Sequence, residues 1–281
     1  MKLIKQSFEI WEQPAGLEGV YKQIEKVGRV CYKSEDKITE DSAKPFVDRM
    51  IKSGHGAMLE HGTIYLAIPI SEWKCTDDYR DSYISNPYSN VNDSLVNWEN
   101  NEGIIYFTTN LRVLVENGWL DDLQYICEPT EFHEKRITVH FVCDRGVSHE
   151  FVRHRVMSFA QESTRYCNYS KDKFGNELTF IIPNWVNTHC PNKEQEGPSV
   201  PDMEWSSAML DAEASYKILL KMGWTPQQAR AVLPNSLKTE LVVTGFVSDW
   251  KHFFELRCDS SAHPQARELA IPLREEFIKR N

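Results

Sequence analysis

The stretch RITVHFVCDRGVSHEFVRHRVMSFAQESTRY, residues 136–166, carries most of what decides the fold. From Arg136 to Asp144 polar and apolar side chains alternate, which is the period of a strand with one buried face. The following GVSHEFVRHRVMSF is compatible with a helix, so Arg153, His154 and Arg155 are expected near its end, where the chain runs into a loop. Arg153, Arg155, Arg165 and a histidine so close in sequence repel one another unless an anion or solvent absorbs their charge.

Upstream, GTIYLAIPI places Ile64, Leu66, Ile68 and Ile70 on one side of a strand. It follows a helix in DSAKPFVDRMIKSGHG, where Asp41 or Ser42 can cap, Phe46, Val47, Met50 and Ile51 share a face, and Gly54 can end the turn. His61 is therefore expected at a helix-to-strand junction. Downstream, ELTFIIP reads as a short strand, and Trp205, Met209, Ala212, Tyr216 and Leu219 recur at helical spacing over 202–222. Thr225 and Pro226 restart a helix, LKTELVVTGFV is extended, and Ser248 or Asp249 caps WKHFFELRC before an amphipathic C-terminal helix. Helices and strands come in mixed order rather than in a regular βα alternation. The expected class is α+β, with an antiparallel sheet flanked by helices. Residues 1–281 are read as one domain, carrying a polar insertion near 71–106 without sustained periodicity and a proline-containing loop near 187–205.

Composition narrows the functional classes. A formal net charge of −9 argues against nucleic acid or an anionic membrane as partner, so any anion site must be a local concentration of arginines. Seven cysteines, an odd number with no CxxC pair, point to reduced thiols in the cytoplasm and to no metal site. The N-terminal MKLIKQSFEIWEQP lacks the apolar run of a signal peptide, and no apolar span reaches the ~20 residues that cross a bilayer.

Guanidinium forks bind phosphates and carboxylates with parallel charge-assisted hydrogen bonds, and hydroxyls such as Ser158 and Ser163 can complete the cradle. A solvated face paired with Glu150 and Glu162 accounts for the same spacing, so spacing alone leaves both readings open. Neither a Gly-rich phosphate loop nor a GxGxxG fingerprint is present. Arg230 in ARAVLP, and Arg257 with His252 and His263 in HFFELRCDSSAHPQ, are further arginines within apolar helices. Burial there is costly unless an anion meets them.

Arg153-His154-Arg155, seven residues and then Ser163 resemble the RHR-x7-S signature of the flavin-dependent thymidylate synthases, the ThyX family, and STRY continues the match. HGAMLEHGT and the block ARAVLP…T…LR…H…Q resemble two further segments of that family in order and spacing. The resemblance implies FAD contacts for His61, Thr63, Arg153, His154, Arg155, Gln161, His252 and His263. For dUMP it implies Glu150, Arg153, Gln161, Glu162, Ser163, Thr164, Arg165, Arg230 and Arg257, with Arg165 on the phosphate. Arg257 matches the arginine credited with activating the pyrimidine, and is the catalytic candidate.

The activity so implied is reductive methylation of dUMP to dTMP, with methylenetetrahydrofolate as one-carbon donor and FAD, reduced by NADPH, as hydride carrier. A homotetramer with sites at its subunit interfaces is also implied. Departures from the family pattern are Ala160 and Gln161 for Asn-Glu, Phe246 for a flavin-binding Asn, Glu150 for Gln, and two extra residues between Arg257 and His263. The alternative is a non-catalytic nucleotide- or nucleic-acid-binding protein using the same arginines with Phe159, Tyr166 and Tyr169 as stacking platforms. It sits poorly with the acidic charge.

Overall fold

The structure is a computed structural model that describes residues 1–72, 82–171, 175–188 and 197–280. Strands β1 (Lys2–Ile4) and β2 (Ser7–Trp11) precede helix α1 (Gly16–Tyr32). Val20, Ile24, Val27 and Cys31 lay one apolar stripe along α1 at steps of three and four residues, and Lys33 ends it in the left-handed region at φ 48°. Gly28 is where α1 meets α2 (Ala43–Lys52), because a Cβ there would lie 2.5 Å from the Phe46 ring. Of the face expected on α2, Phe46 and Val47 are buried and Met50 partly so, whereas Ile51 is exposed. The short α3 (Gly56–Leu59) and β3 (Thr63–Pro69) place His61 at the junction read from the sequence.

The insertion is more ordered than its composition indicated. Residues 73–81 lie outside the described part, but the rest folds back as β4 (Asn90–Asn92) and β5 (Ile104–Asn110), followed by α4 (Leu111–Asn117). β3, β5 and β4 form an antiparallel sheet in that order, and Ile64, Leu66, Ile68, Ile105 and Phe107 pack with Val20, Ile24 and Phe46. Periodicity fails to announce β5 because most of both its faces are buried, which removes the polar–apolar alternation.

The 136–144 alternation becomes the long strand β6 (Arg136–Asp144), and α5 (Arg145–Phe151) follows directly. The stretch beyond the arginines is not loop throughout. Its backbone pairs with an open strand edge as β7 (Ser158–Gln161), which is a correction to the sequence reading. β8 (Thr179–Ile181) pairs in parallel with β1. The long α6 (Val200–Lys221) starts at a Ser199–Asp202 capping box, and α7 (Pro226–Ala229) at a Thr225–Gln228 box. The proline-containing loop is thus shorter than expected at its C-terminal side, and its residues 189–196 lie outside the described part. β9 (Lys238–Phe246), α8 (Val247–Arg257) and α9 (Pro264–Arg280) complete the order.

The main sheet runs β2-β6-β9-β7, antiparallel throughout. One face, with Val139, Phe141, Cys143, Leu241 and Val243, packs on α5, α8 and α9. Trp250 and Phe253 are fully buried there, and each contributes about 1.5–3 kcal/mol by leaving water. The opposite face carries Arg136, Thr138, His140, Lys238, Glu240 and Thr244, yet it is covered by α1 and α3 rather than by solvent. A sheet with one such polar buried face between helices is a scaffold for a site. Among the described residues no helix is long and apolar enough to cross a membrane.

Candidate active site

Asp144 caps α5 by accepting from the Val147 amide at 2.6 Å, and the helix ends at Phe151. The Arg153-His154-Arg155 triplet therefore follows its last turn and leads into β7, with the His154 ring packed on Phe253 (4.9 Å between centroids). His154 is buried, whereas Arg153 and Arg155 are exposed. The last residue of α8, Arg257, reaches the same place. Its Nε donates to His154 Nε2 (3.0 Å), Nη1 to Glu150 Oε2 (2.8 Å) and Nη2 to the Glu150 carbonyl (2.7 Å). Burial first, then the positive charge of Arg257 and the neighbouring His252, pull the His154 imidazole down to about 4. It is neutral at pH 7, and acceptance from Arg257 assigns its proton to Nδ1. Burial lowers Arg257 as well, opposed by Glu150 and reinforced by Arg153.

The structure gathers Glu150, His154 and Arg257 from two helices far apart in sequence. His252 stands beside them, its ring 5.9 Å from that of His154 and 3.5 Å from Glu255, with an exposed side chain. His263 is elsewhere, exposed and packed on Trp185 with ring centroids 5.8 Å apart.

Beyond β7 the side chains alternate. Glu162 and Thr164 are buried, while Ser163 is half-buried and Arg165 exposed. Gln161 lies on the helical side, where its Nε2 donates to Ser148 Oγ (2.8 Å) and Thr239 Oγ1 (3.2 Å). Glu162 accepts from Tyr169 (2.9 Å) and Lys238 (2.8 Å). Ser163 Oγ accepts from the Arg165 amide at 3.3 Å, closing a tight turn. Arg230 Nη1 donates to Thr164 Oγ1 (3.2 Å), and Arg165 Nε to Gln227 Oε1 (3.1 Å), so both arginines converge on this turn. None of Arg153, Arg155, Arg165 and Arg230 has a described carboxylate within 4 Å.

His61 and Thr63 occupy the polar layer under α3. His61 has no exposed surface; its Nδ1 meets Thr244 Oγ1 (2.8 Å), which also meets Thr138 Oγ1 (2.8 Å). Burial, then Arg136, drive the ring down to about 3. Thr63 is pinned by its own backbone, which donates to and accepts from the Gln13 amide at 2.8 Å each.

Arg136 was not singled out by its sequence. It is buried, donates to the Glu60 carbonyl (3.0 Å), Thr63 Oγ1 (3.4 Å) and Ser158 Oγ (3.3 Å), and lies 5.6 Å over the Phe246 ring. Burial lowers it to about 10, and its Nε has no hydrogen-bond partner among the described residues. The only signal was a charge within a strand pattern. Lys238 and Glu240, which back the Glu162 carboxylate, were missed for the same reason, and Lys33 because a lysine ending a helix is ordinarily solvated. Cys167, next to the signature, is buried and pushed up to about 12 by burial and then by Glu162, so it is a thiol rather than a thiolate at pH 7. Among the described residues no cluster could hold a metal ion.

Exposed guanidiniums without a described carboxylate partner flank β7, Arg153 and Arg155 ahead of it and Arg165 beyond it, an arrangement whose chemistry suits anions. Residues 100–280 match the family described as thymidylate synthase complementing protein, and the chain belongs to that family. The matched segment contains the arginine signature, Arg230 and Arg257, while His61 and Thr63 precede it. The chain is 35% identical over 138 residues to the flavin-dependent thymidylate synthase of Pyrococcus abyssi, covering 49% of this chain and 52% of that one. It is 32% identical over 129 residues to that of Geobacter sulfurreducens, covering 46% and 50%. This chain thus spans about half the length of the relatives it matches. A crystal structure of a UMP/dUMP methylase PolB from Streptomyces cacaoi, bound with 5-Br UMP, superposes over 99% of this chain and 92% of its own at TM-score 0.46 and 16% identity.

Proposed function

We propose that this chain is a flavin-dependent thymidylate synthase that converts dUMP to dTMP. The observation that carries this reading is the meeting of Arg257 with His154 and Glu150, which ties the C-terminal block to the arginine signature. The donor set fits FAD and dUMP: Arg153, Arg155, Arg165 and Arg230 are exposed and lack a described carboxylate partner, which suits a flavin pyrophosphate and a nucleotide phosphate. When bound, FAD reduced by NADPH would supply the hydride that completes a methyl group drawn from methylenetetrahydrofolate.

The chain's own residues bind and orient. Arg165 and Arg230, converging on the 163–165 turn, would hold the dUMP phosphate, and the Ser163 hydroxyl keeps its proton free to donate because its oxygen already accepts from Arg165. Arg257 would stabilise negative charge developing on the pyrimidine, a preorganised donor rather than a nucleophile. His154, neutral and accepting from Arg257, fixes the direction of that guanidinium. Gln161, held by Ser148 and Thr239, is set to orient rather than to carry charge. His61 has no exposed surface within one chain, so a flavin contact there needs the residues above it to part.

A homotetramer with sites completed between subunits, and a cytoplasmic location, belong to the same proposal. The test is direct. The purified protein should show an oxidised-flavin spectrum that NADPH bleaches, and should form dTMP from dUMP only when methylenetetrahydrofolate is added. A colourless protein that FAD cannot reconstitute, or one that forms no dTMP, sinks the reading.

A further inference from the structure

From the charges buried behind the 163–165 turn we infer that Lys238 is a positioning residue for nucleotide binding, acting through Glu162 to set the turn that presents Ser163 and Arg165. The inference rests on the proposed dUMP site and deepens it. Glu162 belongs to the signature, but its side chain is buried while Arg165 is exposed. Its carboxylate is buried and shared between Lys238 Nζ on β9 (2.8 Å) and the Tyr169 hydroxyl (2.9 Å). Those contacts lock the chain at the point where β7 ends, and the Glu162 amide extends the ladder onto the Glu240 carbonyl (2.8 Å). The next amide, of Ser163, donates across to the Cys31 carbonyl at the end of α1 (3.0 Å).

Lys238 is itself held. Its ammonium also contacts Glu240, and Glu240 contacts Lys33, at the C-cap of α1, and His140 Nε2 on β6 (2.9 Å). Burial opposes ionisation of Glu240, but His140, Lys238 and Lys33 outweigh it and hold the carboxyl well below its ordinary range. Lys33 and Lys238 thus offset Glu162 and Glu240, while the exposed Glu35 is a further partner of Lys33 (3.1 Å). A balanced, hydrogen-bonded network is rigid, whereas Glu162 without its cation would be a buried charge without compensation. Because side chains alternate here, drawing Glu162 inward turns Ser163 and Arg165 outward. None of these network residues needs to touch the nucleotide.

The experiment uses the FAD-loaded protein and compares wild type with Lys238→Met, Lys238→Arg and Tyr169→Phe. Two readouts are taken: the KM and kcat for dUMP, and amide hydrogen exchange at Ser163, Tyr166 and Cys167, whose amides bond to Cys31 and Ser163 carbonyls. Lys238→Met should raise the KM for dUMP by about tenfold or more with kcat within about threefold, and Lys238→Arg should restore the KM. The same amides should exchange faster in Lys238→Met while those of β6 do not. Tyr169→Phe, which removes only one hydroxyl, should shift the KM the same way by a smaller factor, and decides the matter if Lys238→Met does not fold. Wild-type KM in the folded variants, or a kcat that falls with KM unchanged, overturns the inference. If wild type itself does not use dUMP, the functional reading fails instead, and unchanged exchange at the three amides then overturns the positioning role independently.

Discussion

Glutamine in place of Glu150 separates two accounts of Arg257. In the structure Glu150 Oε2 sits 2.8 Å from Arg257 Nη1, so the cation expected to stabilise an anionic pyrimidine already faces a carboxylate. An anion bound on the far side of the guanidinium, at roughly 6 Å from Glu150, would feel about 2.8 kcal/mol of repulsion at an effective dielectric of about 20, and about 0.7 at about 80. The Glu150 side chain is 31% exposed, which places the effect near the lower end, about 1 kcal/mol or about fivefold in rate. Glu150→Gln retains an oxygen that can accept from Nη1 and leaves the backbone carbonyl contact to Nη2 intact, so the guanidinium keeps its orientation. The expected outcome is faster chemistry, about fivefold, in single-turnover conversion of dUMP on prereduced enzyme with the nucleotide saturating. Arg257→Ala in the same assay should slow it by about a hundredfold or more. A Glu150→Gln enzyme slowed tenfold at unchanged dUMP affinity would refute the electrostatic role and make the carboxylate a participant.

Arg165→Ala and Arg230→Ala should each weaken dUMP binding about tenfold, the scale of one charge-assisted contact, with the flavin retained; titration calorimetry checks this, and unchanged affinity in both removes the phosphate assignment. Cys167→Ser should keep most activity because the thiol is buried and its pKa is pushed up to about 12; a dUMP adduct trapped on Cys167 would contradict it. Stability should be complete above pH 6.5 and fall as the pH drops towards 4, because His61 and His154, ordinarily near 6.5, sit at about 3 and about 4 when folded, so the unfolded chain takes up their protons first. Each histidine contributes a slope of up to about 1.4 kcal/mol per pH unit in that window, so His154→Asn should flatten the urea-derived profile by about one proton; parallel profiles tell against it.

What the sequence reveals and what it hides divides along physical lines. Strands β6 and β9 and helices α2, α6 and α8 were legible because each repeats its pattern locally, and the arginine signature because its residues are adjacent in the chain. Arg136, His140, Lys238 and Glu240 were not, because a polar strand face is ordinarily read as solvent-facing. Here α1 lies over that face, and nothing in the period of a strand states what will cover it. The meeting of Arg257 with Glu150 joins residues 107 positions apart and depends on where two helices end, which no local pattern encodes.

The deepest of the hidden features is the register of β7. Ser158 pairs with Thr244 and Gln161 with Leu241, and this alone decides that Glu162 points into the sheet's polar layer while Ser163 and Arg165 point away. A slip of one residue would exchange those roles, burying the Ser163 hydroxyl and presenting a carboxylate to an anionic ligand. The sequence contains the means to prevent it, since only the observed register brings Glu162 to Lys238 and Gln161 to Ser148 and Thr239. Those partners lie on α5 and β9, so their meaning emerges only once the sheet order is known. In the proposed site the Glu162 carboxylate, drawn to Lys238, would then select which side chains of the signature face the nucleotide.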